Sequence, residues 1–110
     1  MGNGMAITKY KGVPMAFADG VEYVIPALSL RQVQQLQGRL AAYTGGNDAE
    51  SIELVIDTVH AAVTRNYPDM PRDTVQDGLD LRNMGDFMAA VMGASGMVEK
   101  VDTGEVQATA

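Results

Sequence analysis

Two groups of side chains in this chain are of a type and spacing that could do chemistry. Aspartates stand at Asp69, Asp73, Asp77, Asp80 and Asp86, and methionines at Met84, Met88 and Met92. Clustered carboxylates can hold metal ions, and methionine-lined faces can hold partner helices. A calcium loop needs oxygen ligands at alternate positions, then glycine, then a closing glutamate six residues further on. The stretch "DTVQDGLDLRN" has Asp77-Gly78, but Thr74, Val75 and Gln76 stand where ligands belong and Met84 where the glutamate should close the loop. The calcium reading fails, and Asp69, Asp73 and Asp80 fit helix beginnings, where an anion complements unpaired amide groups.

His60 is the single histidine, and its i+3 and i+4 neighbours are Val63 and Thr64, so no zinc set forms around it. Ser29, Ser51 and Ser95 lie in no nucleophile motif, and the glycines form no phosphate-cradling loop between a strand and a helix. The pattern therefore points away from an enzyme and calls for no cofactor. A metal-assisted enzyme using His60 with nearby carboxylates is the weakest of three functional readings, because the ligand set is missing.

These residues need elements to position them. From Val13 to Pro26 the chain alternates at Val21, Tyr23 and Ile25 around Asp19-Gly20, the signature of a β-hairpin. A lone hairpin is marginal, so it must lean on helices or on another molecule. Ser29 can cap a first helix carrying Leu30, Val33, Leu36, Leu40 and Tyr43 on one side until Gly45-Gly46 stops it. Asn47 with Glu50 resembles a capping box for a second helix running to about Asn66, with Ile52, Val55, Ile56, Val59, Ala62 and Val63 as its apolar stripe. Tyr67-Pro68 ends it.

Pro71 suits the first position of a short helix to about Gly78, with Val75 facing inward. A last helix starts near Asp80 or Asn83 and ends at Gly93. Residues 1–12 read as a flexible lead-in, 13–93 as a single mainly helical domain of three to four helices in a small bundle with a short N-terminal hairpin, and 94–110 as a flexible tail.

Composition bounds the partners. The 110 residues include 14 acidic and 8 basic side chains, a net charge of -6, so a nucleic-acid backbone is repelled on average. There is no cysteine, which removes disulfides and thiolate metal sites. No run approaches the roughly 20 apolar residues of a membrane span, and "MGNGMAITKYKG" lacks the apolar core of a signal peptide. Cytoplasmic placement is the expectation.

The succession "RNYPDM", "VQDGLDLRNM", "AAVMGASGM" resembles the C-terminal part of tail assembly chaperones of long-tailed bacteriophages. Asn-Tyr-Pro-Asp, Leu-Asp, Asn-Leu and Ala-Val-Met-Gly-x-Ser-Gly recur there in that order. Upstream, "VEYVIPALSLRQVQQL" is similar to the extended segment that precedes that family's first helix. The likeness spans residues 20 to 97, with departures: Ala27 stands for a frequent second proline, Met84 and Met97 for leucines, and Gly78 for a larger residue.

The resemblance implies a non-enzymatic helper in the host bacterial cytoplasm. It would bind the tape-measure protein, keep it soluble, help recruit tail-tube subunits, and be absent from the mature virion. The alternative is a minor structural tail or connector protein of the virion. For a partner surface the sequence nominates the last helix, with Leu81, Met84, Phe87, Met88 and Met92, joined by Phe17 and Tyr23 of the hairpin. Self-association through the same surface fits this reading, as an unoccupied apolar patch tends to meet copies of itself. On this expectation Met88→Asp weakens partner binding while the domain stays folded. The bland reading of the same methionines is that they are core.

Overall fold

The computed structural model describes residues 9–96. Two antiparallel strands, β1 (Gly12–Ala16) and β2 (Glu22–Pro26), precede four helices: α1 (Leu30–Ala42), α2 (Ala49–Val63), α3 (Arg72–Gly78) and α4 (Met84–Ala94). The mainly helical fold with an N-terminal hairpin expected from the sequence is the fold observed.

The hairpin pairs Gly12 with Pro26 and Ala16 with Glu22. At its tip Gly20 donates to the Phe17 carbonyl at 2.8 Å and takes φ 87, a conformation that favours glycine. One outward edge of the hairpin is closed by side chains of the turn after α2. The Tyr67 hydroxyl accepts from the Val24 amide at 3.0 Å, and Asn66 Nδ2 donates to the Val24 carbonyl at 3.2 Å. The hairpin thus leans on its own helices.

Asn66 also exchanges two bonds with Tyr10, accepting from its amide at 2.7 Å and donating to its carbonyl at 2.9 Å. The Arg65 guanidinium lies 4.0 Å from the Tyr10 ring centre. The lead-in expected over 1–12 is therefore anchored from Tyr10 onward. At the other end Ser95 Oγ accepts from the Leu28 amide at 2.9 Å, tying the residues just after α4 to the start of α1. Ala94 and Ser95 thus belong to the fold and not to the expected tail; residues 1–8 and 97–110 lie outside the described part.

Helix α2 is the centre, packed against α1, α3, α4 and β2. Its apolar stripe is wide enough to serve all of them: Leu54, Val55, Ile56, Val59, Ala62 and Val63 are buried. Each fully buried valine or isoleucine contributes roughly 1.5–3 kcal/mol, which makes this helix the main source of stability. Thr58 shares that interior fully buried, and its hydroxyl has no hydrogen-bond partner. An unsatisfied buried hydroxyl is unfavourable and valine has nearly the same shape. Thr58→Val is expected to stabilise the domain by about 1 kcal/mol, seen as a raised midpoint in urea unfolding; an unchanged or lower midpoint contradicts it.

Several helix ends differ from the sequence expectation by a residue or more. The capping residue of α2 is Asp48 and not Asn47: its carboxylate accepts from the Ser51 amide at 3.2 Å and from Ser51 Oγ at 2.7 Å. An ionised carboxylate is a stronger acceptor than an amide oxygen and complements the helix dipole. A full capping box does occur, at α1, where Ser29 and Gln32 exchange bonds of 3.1 and 2.9 Å. Gln32 then donates to the Ala61 carbonyl of α2 at 2.8 Å, fixing α1 at its first turn. Pro71 is the residue before α3 and not its first, with ψ 150. Helix α2 stops at Val63, and α4 runs through Gly93 to Ala94, the left-handed glycine being Gly96 with φ 75.

Across the surface of α2 a chain of ion pairs joins three helices. Arg39 of α1 reaches Asp57 at 3.0 Å, and Arg72 of α3 reaches Asp57 at 2.8 Å and Glu53 at 2.6 Å. Partial burial pushes the Asp57 carboxyl up, but hydrogen bonds from Arg72 and Arg39 outweigh that and hold it below the usual carboxylate range. A depressed folded-state pKa means that the stabilisation is present above the unfolded value and is lost as pH falls through the folded one. Asp57→Asn is therefore expected to cost about 1 kcal/mol at neutral pH, with the deficit closing below about pH 4. Thermal melts of both proteins across pH 2–7 check this; a deficit that persists at the lowest pH assigns it to packing.

Candidate partner-binding site

The turn between α3 and α4 builds the surface that carries an exposed apolar residue. Asp80 Oδ1 accepts from the amides of Arg82 and Asn83, both at 2.9 Å. Asn83 Oδ1 accepts from the Asp80 amide at 2.7 Å, and Asn83 Nδ2 donates to the Gly78 carbonyl at 3.1 Å. Aspartate and asparagine are suited to this, since their short side chains imitate a backbone turn. The two side chains thus bond the amides of Asp80, Arg82 and Asn83 and the Gly78 carbonyl. Leu81, in the middle of that turn, is 63% exposed.

Beside Leu81 runs an open groove of about 340 Å³, lined by Ile52 and Ile56 of α2, Gln76 and Leu79 of α3 and its cap, and Asp80 and Met84. Its floor is aliphatic, and its polar members sit at the edge. A larger hollow of about 740 Å³ opens between the end of α1 and the start of α2. Three of the four charged side chains there are engaged within the fold, Asp48 in its cap, Arg39 with Asp57, and Glu53 with Arg72, while Glu50 is exposed.

The residues nominated from the sequence divide three ways. Phe17, Phe87, Met88 and Met84 are buried. Phe17 lies 5.2 Å from Phe87 and 5.1 Å from Tyr23, centre to centre, and Tyr23 meets Tyr67 edge-on at 5.1 Å. These rings join the hairpin to α4 and α2 and are core, not a waiting surface. Tyr23 and Met92 are half-buried against the same core. Leu81 is the nominated residue that stands in solvent, and Met84 lines the groove with its accessible edge. The surface expected along α4 is thus corrected: that face packs on α2 and the hairpin, and its accessible part lies at the start of the helix; elsewhere Leu30, placed by the sequence on the apolar side of α1, is 83% exposed.

Ile52, Ile56 and Leu79 were not nominated. The isoleucines stood within the apolar stripe of α2, and Leu79 fell after the end of α3, so no local signal set them apart. His60 is held within the fold, where Nε2–H donates to the Met70 carbonyl at 2.9 Å. Among the described residues no group of three or more histidine, aspartate or glutamate side chains is placed to hold a metal ion, and no helix is long and apolar enough to cross a membrane. All five aspartates are exposed: Asp73 and Asp86 lie in the first turns of α3 and α4, where the sequence placed Asp73, Asp80 bonds the turn before α4, and Asp69 and Asp77 stand in solvent.

Comparison of the chain with protein-family models, with curated proteins and with solved structures finds no match.

Proposed function

We propose that this protein is a tail assembly chaperone of a long-tailed bacteriophage, which binds the tape-measure protein, keeps it soluble and helps recruit tail-tube subunits. The observation that carries this reading is the placement of the residues shared with that family. Asn66 and Tyr67 close the edge of β2, Asp80 and Asn83 knot the turn before α4, and Ser95 ties the end of α4 to Leu28. A motif whose members hold distant segments together specifies a fold, so its recurrence supports a shared architecture more than a shared ligand. The groove beside Leu81 supports the binding role: a reversible helper needs accessible apolar contact without a large obligate interface.

The test is co-expression with the tape-measure protein encoded by the same genome. The wild-type chain is expected to hold it in the soluble fraction and to be absent from purified virions by mass spectrometry. Leu81→Asp, at an exposed site, is expected to reduce the soluble complex at least about tenfold with an unchanged melting temperature, since a charge in an apolar contact is strongly unfavourable. A chain found stoichiometrically in virions instead identifies a minor structural tail or connector protein.

A further inference from the structure

From the rim of the Leu81 groove we infer the chemistry of its occupant: a helix that presents an aliphatic stripe flanked by lysine or arginine. The inference rests on the groove being a docking site, as in the function proposed above. The floor formed by Ile52, Ile56, Leu79 and Met84 is aliphatic, and Leu81 stands at its edge in solvent. Such a floor takes leucine-sized side chains spaced along one face of a helix.

The rim adds a sign. On α3 the residues Asp73, Gln76 and Asp77 share one side by their i, i+3, i+4 spacing, all three are exposed, and Gln76 lines the groove directly. Asp80 continues that edge, with its carboxylate also held by the backbone knot. Between residues 73 and 86 there are four aspartates and one arginine, Arg82. Asp73 and Asp77 have no ion-pair partner among the described residues, whereas Glu53 and Asp57, each one residue on from the groove's Ile52 and Ile56, are paired with arginines. The groove is therefore an apolar trough beside uncompensated negative charge. A basic flank on the partner gains attraction there, and an acidic flank is repelled. A second copy of this chain, with its net charge of -6, carries the unfavourable sign.

Two fluorescent helical peptides test this on the full chain. Both carry leucines at i, i+4 and i+7; one has lysines on either side of the stripe and the other glutamates at the same positions. The lysine peptide is expected to bind at least about tenfold more tightly at low salt and to lose much of that advantage at 0.5 M salt, where the Debye length is only a few ångströms. Leu81→Ser, which leaves the charge unchanged, is expected to weaken it about tenfold, and Asp73→Asn with Asp77→Asn to shrink the gap between the two peptides. Circular dichroism confirms that each variant is folded. Equal binding of the two peptides, binding indifferent to Leu81→Ser, or no binding of either overturns the assignment. So does a dimer in sedimentation that Leu81→Ser abolishes, because the occupant is then another copy. Tape-measure solubilisation that survives when the peptides show no charge preference separates failure of this inference from failure of the proposed function.

Discussion

Met88→Asp is expected to unfold the domain, whatever it does to a partner. The side chain is 3% exposed, on the buried face of α4 beside Phe87 and Val91, which are fully buried. Replacing it removes roughly 2–3 kcal/mol of apolar burial and puts a carboxyl where no cation stands in the core cluster. Such a group either remains charged without solvent or takes up a proton, and both are unfavourable. A total loss on the order of 4–5 kcal/mol is a large part of the 5–15 kcal/mol that holds a typical domain. Circular dichroism should show the melting temperature falling by about 20 °C or the cooperative transition disappearing. Met88→Leu, which keeps volume and apolarity, should cost less than about 1.5 kcal/mol. A cooperatively folded Met88→Asp protein would place Met88 on the surface, the partner-face alternative that the sequence left open beside the core reading.

The second large effect is expected at Gly78. A Cβ there would lie 2.5 Å from Cγ of Phe17 and 2.7 Å from its Cδ2, closer than packed atoms approach. The ring cannot easily withdraw, since it is held between Tyr23 and Phe87 at 5.1 and 5.2 Å. Nor can the backbone, because the Gly78 carbonyl accepts from the Ala18 amide at 2.8 Å and from Asn83 Nδ2 at 3.1 Å. Two effects oppose one another in Gly78→Ala. Helix propensity favours alanine by at most about 1 kcal/mol, less at a last helical residue, and overpacking costs about 1–3 kcal/mol. The clash wins, and a net loss of about 1–2 kcal/mol is expected, rising to about 3 kcal/mol or more for Gly78→Leu.

The partner of that clash can be checked directly. Phe17→Ala removes Cγ and Cδ2, the two atoms closest to that Cβ, so the double variant Phe17→Ala with Gly78→Ala should be more stable than the sum of the single losses predicts by about 1 kcal/mol. Additive losses in urea unfolding would mean that the two residues do not share a space. A larger residue at 78 needs a different arrangement of the hairpin tip. Gly78 and Phe17 are 61 positions apart in the chain, and nothing local to either announces the other.

What the sequence determined by itself is what depends on near neighbours. The alternation around Asp19-Gly20 specifies the hairpin, the stripe from Ile52 to Val63 specifies α2, Ser29 marks where α1 begins, and Gly45-Gly46 and Tyr67-Pro68 begin three and four residues beyond the ends of α1 and α2. Ring closure of backbone bonds, φ restriction before proline and helical period act over a few residues, so a few residues carry the signal. Even there the cap of α2 shifted by one position, because Asn47 and Asp48 are both competent and only the geometry of Ser51 chose between them.

The tertiary structure decided which apolar faces meet protein and which meet water. Period shows that Met84, Met88, Val91 and Met92 share a side of α4 but not what that side touches; packing on α2 and the hairpin makes it core. It also decided the site. Ile52 and Ile56 of α2 and Leu79 and Leu81 of the segment after α3 come from two distant parts of the chain and become one groove only when α3 packs on α2 and the Asp80–Asn83 bonds shape the turn that carries Leu81. A surface assembled from distant segments has no period of its own, and the burial that distinguishes Leu81 from Met88 is a property of the packed chain, not of either residue.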